Sequence, residues 1–133
     1  MAHVTIESTD TDYAHAISNG KHQLIADEPP SLGGQGAGMA PFDLYLASLA
    51  SCTAITLRMY AQKKGWDLGK FSAELTSSRD EAGKLQVHRV LAASGPLSDE
   101  QWDRLLDVVS RTPVTLVMRE GATITSERAT EGR

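Results

Sequence analysis

The hydrophobic and polar positions of the chain fall into short alternating stretches on either side of one long apolar stretch. Between Pro41 and Tyr60 large apolar residues recur at every turn, and at about 100° per residue they cover two faces. Tyr45, Leu49, Cys52, Thr56 and Met59 share one face; Phe42, Leu46, Ala50, Ala54 and Leu57 cover another. The spacing predicts a central helix buried on most sides, with the rest of the chain and a second subunit as its cover. Pro41 suits the first helical position, and Asp43 places a negative charge in the first turn. Lys63 and Lys64 end the helix on the favourable side, and Gly65 is its stop.

Upstream, His3 to Thr9 alternates in strand fashion, with Val4, Ile6 and Ser8 on one face. The runs 14–18 and 22–26 flank Asn19-Gly20-Lys21, and Asn-Gly is the strongest short hairpin signal. Three antiparallel strands are expected here. The segment 27–38 carries Pro29, Pro30 and four glycines, which exclude a regular element. A glycine-rich stretch before a helix invites a phosphate-binding reading. The positions of Gly34, Gly36 and Gly38 match neither G-x-G-x-x-G nor G-x-x-x-x-G-K-[ST], so a surface loop lining a pocket is the expectation.

Downstream, 70–78 and 84–94 read as a long hairpin turning at Asp80-Glu81-Ala82-Gly83. Phe71, Ala73 and Leu75 alternate against Leu85, Val87 and Arg89. Ser98 and Gln101 form a capping box, with Leu97 and Trp102 placed as a hydrophobic staple. Trp102, Leu105, Leu106 and Val109 give that second helix one apolar stripe, ending near Arg111. Val114 to Met118 fits helix or strand, and Glu120-Gly121 turns the chain into a last strand, Ala122 to Ser126. The order βββ-α-ββ-α-(α)-β describes an α+β fold.

A length of 133 residues allows a single domain with one core. A net charge of −4, with no basic run interleaved with aromatics, argues against a nucleic-acid partner. Asp43, Ser48, Ser51 and Arg58 interrupt the apolar stretch, so no membrane span of roughly 18–20 residues is expected. The N-terminal residues show no basic region of a signal peptide, and a lone cysteine cannot form an internal disulfide. A reducing, cytoplasmic location is the default.

A lone cysteine on an apolar helix is ordinarily a small core residue. To act as a nucleophile, Cys52 needs a cation, a hydrogen-bond donor or an oriented dipole nearby. Its own helix offers none: Arg58 lies about 240° away and Asp43 about 180° away. An activating partner must come from another element or another subunit. His3, His15, His22 and His88 are scattered along strand surfaces without ligand spacing, so neither a metal nor a cofactor is expected. No G-x-S-x-G is present to support a serine hydrolase.

Asp27-Glu28-Pro29, Gly33-Gly34 and the unbroken block from Ala40 to Trp66 resemble the OsmC/Ohr family of thiol peroxidases, most closely its OsmC-like branch. Arg89, Gly95-Pro96-Leu97-Ser98 and Thr112-Pro113-Val114 fall where the family has its later motifs. The resemblance implies antiparallel sheets wrapped around a long central helix in an intertwined homodimer, with active sites at the subunit interface. It implies that Cys52 is the peroxidatic cysteine, attacking an organic hydroperoxide and becoming a sulfenic acid. In the family a second cysteine then forms a disulfide that a dithiol reduces. An acidic residue at the helix start, here Asp43, and an N-terminal arginine help to hold the thiolate. Tyr45, Leu49 and Thr56, on the face of Cys52, and Thr112 are the expected substrate pocket.

This chain departs from that pattern. Thr112 stands where the family has its resolving cysteine, and the first arginine in the chain is Arg58. Asp43 is one methylene shorter than the usual glutamate. Arg89, from the same or the partner subunit, is the remaining candidate cation for the thiolate. One reading is a one-cysteine peroxidase of the oxidative stress response, with an external thiol or dithiol as resolver. A second is a non-peroxidase relative that binds a small apolar or thiol ligand at the interface; a third is a redox sensor. Retention of Cys52 and its flanks favours the first.

Overall fold

The computed structural model describes residues 1–130. In chain order the elements are β1 (Thr5–Ser8), β2 (His15–Ser18), β3 (Gln23–Ala26), a 3-10 turn (Pro30–Leu32), α1 (Pro41–Lys64), β4 (Phe71–Arg79), β5 (Leu85–Ala93), α2 (Asp99–Val109) and α3 (Pro113–Glu120). The expected α+β architecture is present, with antiparallel sheets and one long helix. Two compact units make up the chain. Met1–Ser48 with Leu75–His88 forms the first; Leu49–Glu74 with the chain from Arg89 onward forms the second.

In the first unit, β1, β2 and β3 form an antiparallel sheet in sequence order, pairing Thr5 with Ser18 and His15 with Ala26 at the ends of their ladders. The Asn19 side chain closes the β2–β3 turn by accepting the Lys21 and His22 amides at 3.0 and 2.8 Å. Next comes the glycine-rich loop, and its organising group is Asp27, only 3% exposed. Its carboxylate accepts backbone N–H groups from Glu28 (2.8 Å), Gln35 (3.2 Å) and Ala37 (3.0 Å). The loop amides that suggested an anion cradle therefore converge on the protein's own carboxylate. The approach is close: a Cβ on Gly34 would lie 1.9 Å from the Glu28 carbonyl oxygen, so only glycine fits there. As expected of a pocket-lining loop, Gly33, Gly34 and Gln35 border a cavity of about 260 Å³ together with Asp10, Asp12 and Tyr13.

The Ala37 amide does most to hold Asp27 below the usual carboxylate range. Burial opposes it, and the Glu28 and Gln35 amides and the His15 charge add to it. A carboxyl group depressed in the folded state stabilises the fold above its unfolded pKa of about 3.9 and loses that contribution as pH falls. Asp27→Asn is expected to lower the urea midpoint at neutral pH. The gap between variant and wild type should close on acidification below about pH 4, as the wild-type carboxylate takes up its proton. A gap that stays constant with pH would contradict this role.

At the start of α1, Asp43 accepts the Ala40 amide at 3.1 Å, bridging back across the first turn. The Phe42 and Tyr45 rings meet edge to face with centroids 6.1 Å apart, and the Arg79 guanidinium lies 5.8 Å from the Phe42 ring centre.

In the second unit, α1 buries Leu49, Thr53, Leu57 and Ala61, a strict four-residue repeat. Leu57 and Ala61 join Leu68, Leu105 and Val109 in the core, with Leu97 and Trp102 packed at its edge. Gly65, at φ 72°, ends α1: its amide reaches the Gln62 carbonyl and that of Trp66 reaches Ala61, a Schellman stop. The capping box of α2 forms as expected, with Ser98 Oγ accepting the Gln101 amide at 3.1 Å and Gln101 Oε1 accepting the Ser98 amide at 2.8 Å. Backbone bonds from Asp80 to Lys84 and from Ser94 to Lys70, both 3.0 Å, close the two ends of the antiparallel β4–β5 hairpin. Leu85, Val87, Arg89, Leu91 and Ala93 are the half-buried positions of β5.

Within the chain α1 fully buries the stripe Leu49, Thr53, Leu57 and Ala61 and half-buries many of its other positions, while Phe42, Ile55 and Met59 stay 55%, 59% and 63% exposed, on sides that the expectation shared with a second subunit. Of the two forms open to Val114 to Met118, helix is the one found: it lies within α3, started by Pro113 at its first position. Other expectations are corrected. Ala73, expected on the inner face of β4, is exposed. Ala122 to Ser126 is not a strand: among the described residues no strand runs beside it to complete a ladder, and Ile124 is 86% exposed.

Candidate active site

Cys52 sits in the middle of α1, one position before the buried stripe reaches Thr53, and it is half-buried rather than sealed. Its Sγ lies 3.8 Å from Thr56 Oγ1, one turn on. Thr53 is fully buried and donates its hydroxyl hydrogen to the Leu49 carbonyl at 2.7 Å, the bond within the helix that Thr favours. The Thr53 oxygen then accepts from Arg89 Nη1 at 2.9 Å.

Arg89 occupies an inward position of β5, where the alternation calls for an apolar residue. Nη1 also donates to Thr115 Oγ1 at 3.2 Å, and Nη2 donates to the Val109 carbonyl at 3.0 Å. The guanidinium thus joins α1, the end of α2 and the first turns of α3. Burial pushes its proton affinity down, the Arg119 charge pushes the same way, and the charge of Cys52 opposes them. An arginine so placed remains protonated at neutral pH. Among the described residues the ion pairs are Arg104–Asp107 and Arg111–Asp107, so no carboxylate neutralises Arg89.

Thr112, 2% exposed, contacts Thr115 at 2.7 Å between hydroxyl oxygens, and Thr115 donates to the Val109 carbonyl at 3.1 Å. The sequence-predicted residues therefore separate into groups. Cys52 contacts Thr56, Arg89 bonds to Thr53, the residue after Cys52, and Thr112 connects to Arg89 through Thr115. Leu49 is buried at 5% exposure and serves through its carbonyl. Tyr45 is paired with Phe42, and Asp43 is engaged with its own helix start, about two and a half turns before Cys52. Thr53 and Thr115 were missed. The recurrence Leu49, Thr53, Leu57, Ala61 at four-residue spacing was the available signal for Thr53.

Chemically, the arrangement offers a half-buried thiol, a cation with no counter-ion among the described residues, and neutral hydroxyls. In the same unit a cavity of about 610 Å³ lies beside Tyr60, Trp66 and Arg104, and Cys52 is not among its lining residues. Among the described residues, no three His, Cys, Asp or Glu side chains converge to hold a metal ion. Nor is any helix among them long and apolar enough to cross a membrane.

A family model for OsmC-like proteins matches residues 34–127, from the Asp27 loop through both helices after the hairpin. The chain belongs to the OsmC-like family. No curated protein matches its sequence. Solved structures share the fold of this OsmC-like chain at low identity. An OsmC-like protein from Mycoplasma pneumoniae superposes with a TM-score of 0.76 at 21% identity, over 90% of this chain and 87% of its own. An organic hydroperoxide resistance protein OsmC from Legionella pneumophila gives 0.68 at 22%, over 90% and 89%. The organic hydroperoxide resistance protein OhrB of Bacillus subtilis gives 0.62 at 20%, over 90% of each chain.

Proposed function

We propose that this OsmC-like protein is a one-cysteine peroxidase that reduces organic hydroperoxides with an external thiol. The observation that carries the reading is the half-buried Cys52 one residue from the Thr53 hydroxyl that binds Arg89, a guanidinium with no carboxylate partner among the described residues. A neighbouring cation favours the thiolate, and the thiolate is the nucleophile. Its sulfur attacks the terminal oxygen of R–O–OH. An S–O bond forms, the O–O bond breaks, and the departing alkoxide takes a proton from water to become the alcohol. Cys52 is left as a sulfenic acid, oxidised by two electrons.

Thr112 cannot form a disulfide, so an external thiol attacks the sulfenic sulfur and expels water, giving a mixed disulfide. A second thiol then releases the Cys52 thiolate and the oxidised reductant. The names of the Legionella and Bacillus relatives, both organic hydroperoxide resistance proteins, support this substrate class. Apolar side chains left open on α1, Ile55 and Met59 among them, support a homodimer whose second copy completes the walls around Cys52.

Purified protein is expected to consume cumene hydroperoxide catalytically with dithiothreitol as the thiol source. The product alcohol should accumulate in proportion, and the protein should sediment as a dimer. Catalysis no faster than thiol alone would overturn the peroxidase reading and favour ligand binding at the same site.

A further inference from the structure

The buried hydroxyls around Arg89 form one connected network. Thr53 gives its hydroxyl hydrogen to the Leu49 carbonyl, so its oxygen can only accept from Arg89. Thr115 lies within hydrogen-bond distance of the Val109 carbonyl at 3.1 Å, and its 2.7 Å contact with Thr112 joins the two hydroxyls. Arg89 completes the set with its bonds to Thr53, Thr115 and the Val109 carbonyl. Every partner of the guanidinium is an uncharged acceptor.

Among the described residues, the ionisable side chains that bear on Arg89 are Arg119 and the Cys52 thiol. Arg89 comes from β5, Arg119 from α3 and Cys52 from α1. Arg58, on α1 itself, donates to the Gly69 carbonyl, and Asp107 of α2 is held by Arg104 and Arg111. A carboxylate in place of Thr112 or Thr115 would hold Arg89 as firmly but would neutralise it. Neutral hydroxyls fix the fork and leave its charge available.

We propose that Thr112 is a positioning residue: its hydroxyl, acting through that of Thr115, fixes the Arg89 guanidinium against the turn of α1 that carries Cys52. The inference rests on the reading of Cys52 as the reacting thiol. It gives a new task to the position at which the family resemblance implies a resolving cysteine. A threonine there makes the stronger hydrogen bond, since a thiol is both a weak donor and a weak acceptor. Thr112 is thus the end of a chain of contacts, Thr112 to Thr115 to the α2 terminus, with Arg89 bonded to the last two links.

The test is the pH profile of Cys52 alkylation by iodoacetamide, which reads the thiolate without any hydroperoxide. Thr112→Val keeps the volume and removes the hydroxyl. It is expected to move the profile to higher pH and slow alkylation at neutral pH about fivefold, the equivalent of one hydrogen bond. Thr112→Ser should restore the wild-type profile, and in an Arg89→Gln background Thr112→Val should have no further effect. An unchanged profile in Thr112→Val, or an equal shift without Arg89, would overturn the proposal. Should Thr112→Val not fold, Thr112→Ala decides by the same comparison, with a shift in the same direction. A wild-type protein inert to hydroperoxide would sink the peroxidase reading while leaving these profiles to decide the role of Thr112.

Discussion

Cys52→Ser is expected to fold as the wild type does and to reduce hydroperoxide no faster than the free thiol. The side chain is half-buried and its Sγ contacts Thr56 Oγ1, 3.8 Å away, which a serine hydroxyl can keep as a hydrogen bond after a small shift. Stability should change by less than about 1 kcal/mol. Chemistry should vanish because a serine is protonated at neutral pH and its oxygen cannot carry the oxidised state that the cycle needs. The chain has no other cysteine to substitute for it. Peroxide consumption by the serine variant equal to wild type, measured with the same dithiol, would remove Cys52 from the mechanism.

Arg89→Gln should have the next largest effect, and on two separable quantities. Removing the guanidinium breaks the bonds to Thr53, Thr115 and the Val109 carbonyl. A loss of about 2–3 kcal/mol is expected by urea unfolding, since hydrogen bonds to a charged group are worth more than neutral ones. It also removes the cation bonded to Thr53, the residue next to Cys52, and alkylation at neutral pH should fall. Arg89→Lys separates the two. A lysine retains the charge but not the planar fork, so alkylation should fall less than in the glutamine variant while stability still drops. Equal alkylation rates in wild type and Arg89→Gln would mean that the guanidinium only ties the helices together.

Local signals in the sequence are strong for the elements and weak for the site. The whole of α1 was readable because Pro41, Asp43 and Gly65 act through their own backbone neighbours; the α2 capping box was readable for the same reason. The hairpin pattern placed Arg89 on the inward side of β5, a charged residue in an apolar register. Nothing in the sequence said where its fork would land. Thr53, Thr115 and the Val109 carbonyl lie 36, 26 and 20 positions away along the chain, so only tertiary packing joins them. The glycine-rich loop shows the reverse case. Its composition suggested an anion site, and its amides do bind an anion, but that anion is Asp27. The last strand failed because an alternating pattern at Ala122 to Ser126 specifies a strand only when another strand is beside it.

Mass spectrometry of the protein after one equivalent of cumene hydroperoxide, with no reductant present, tests the central claim most directly. The account predicts one added oxygen, located on Cys52 and captured there by dimedone, and an equal amount of cumyl alcohol in solution. An unmodified Cys52 with the hydroperoxide recovered intact would contradict it.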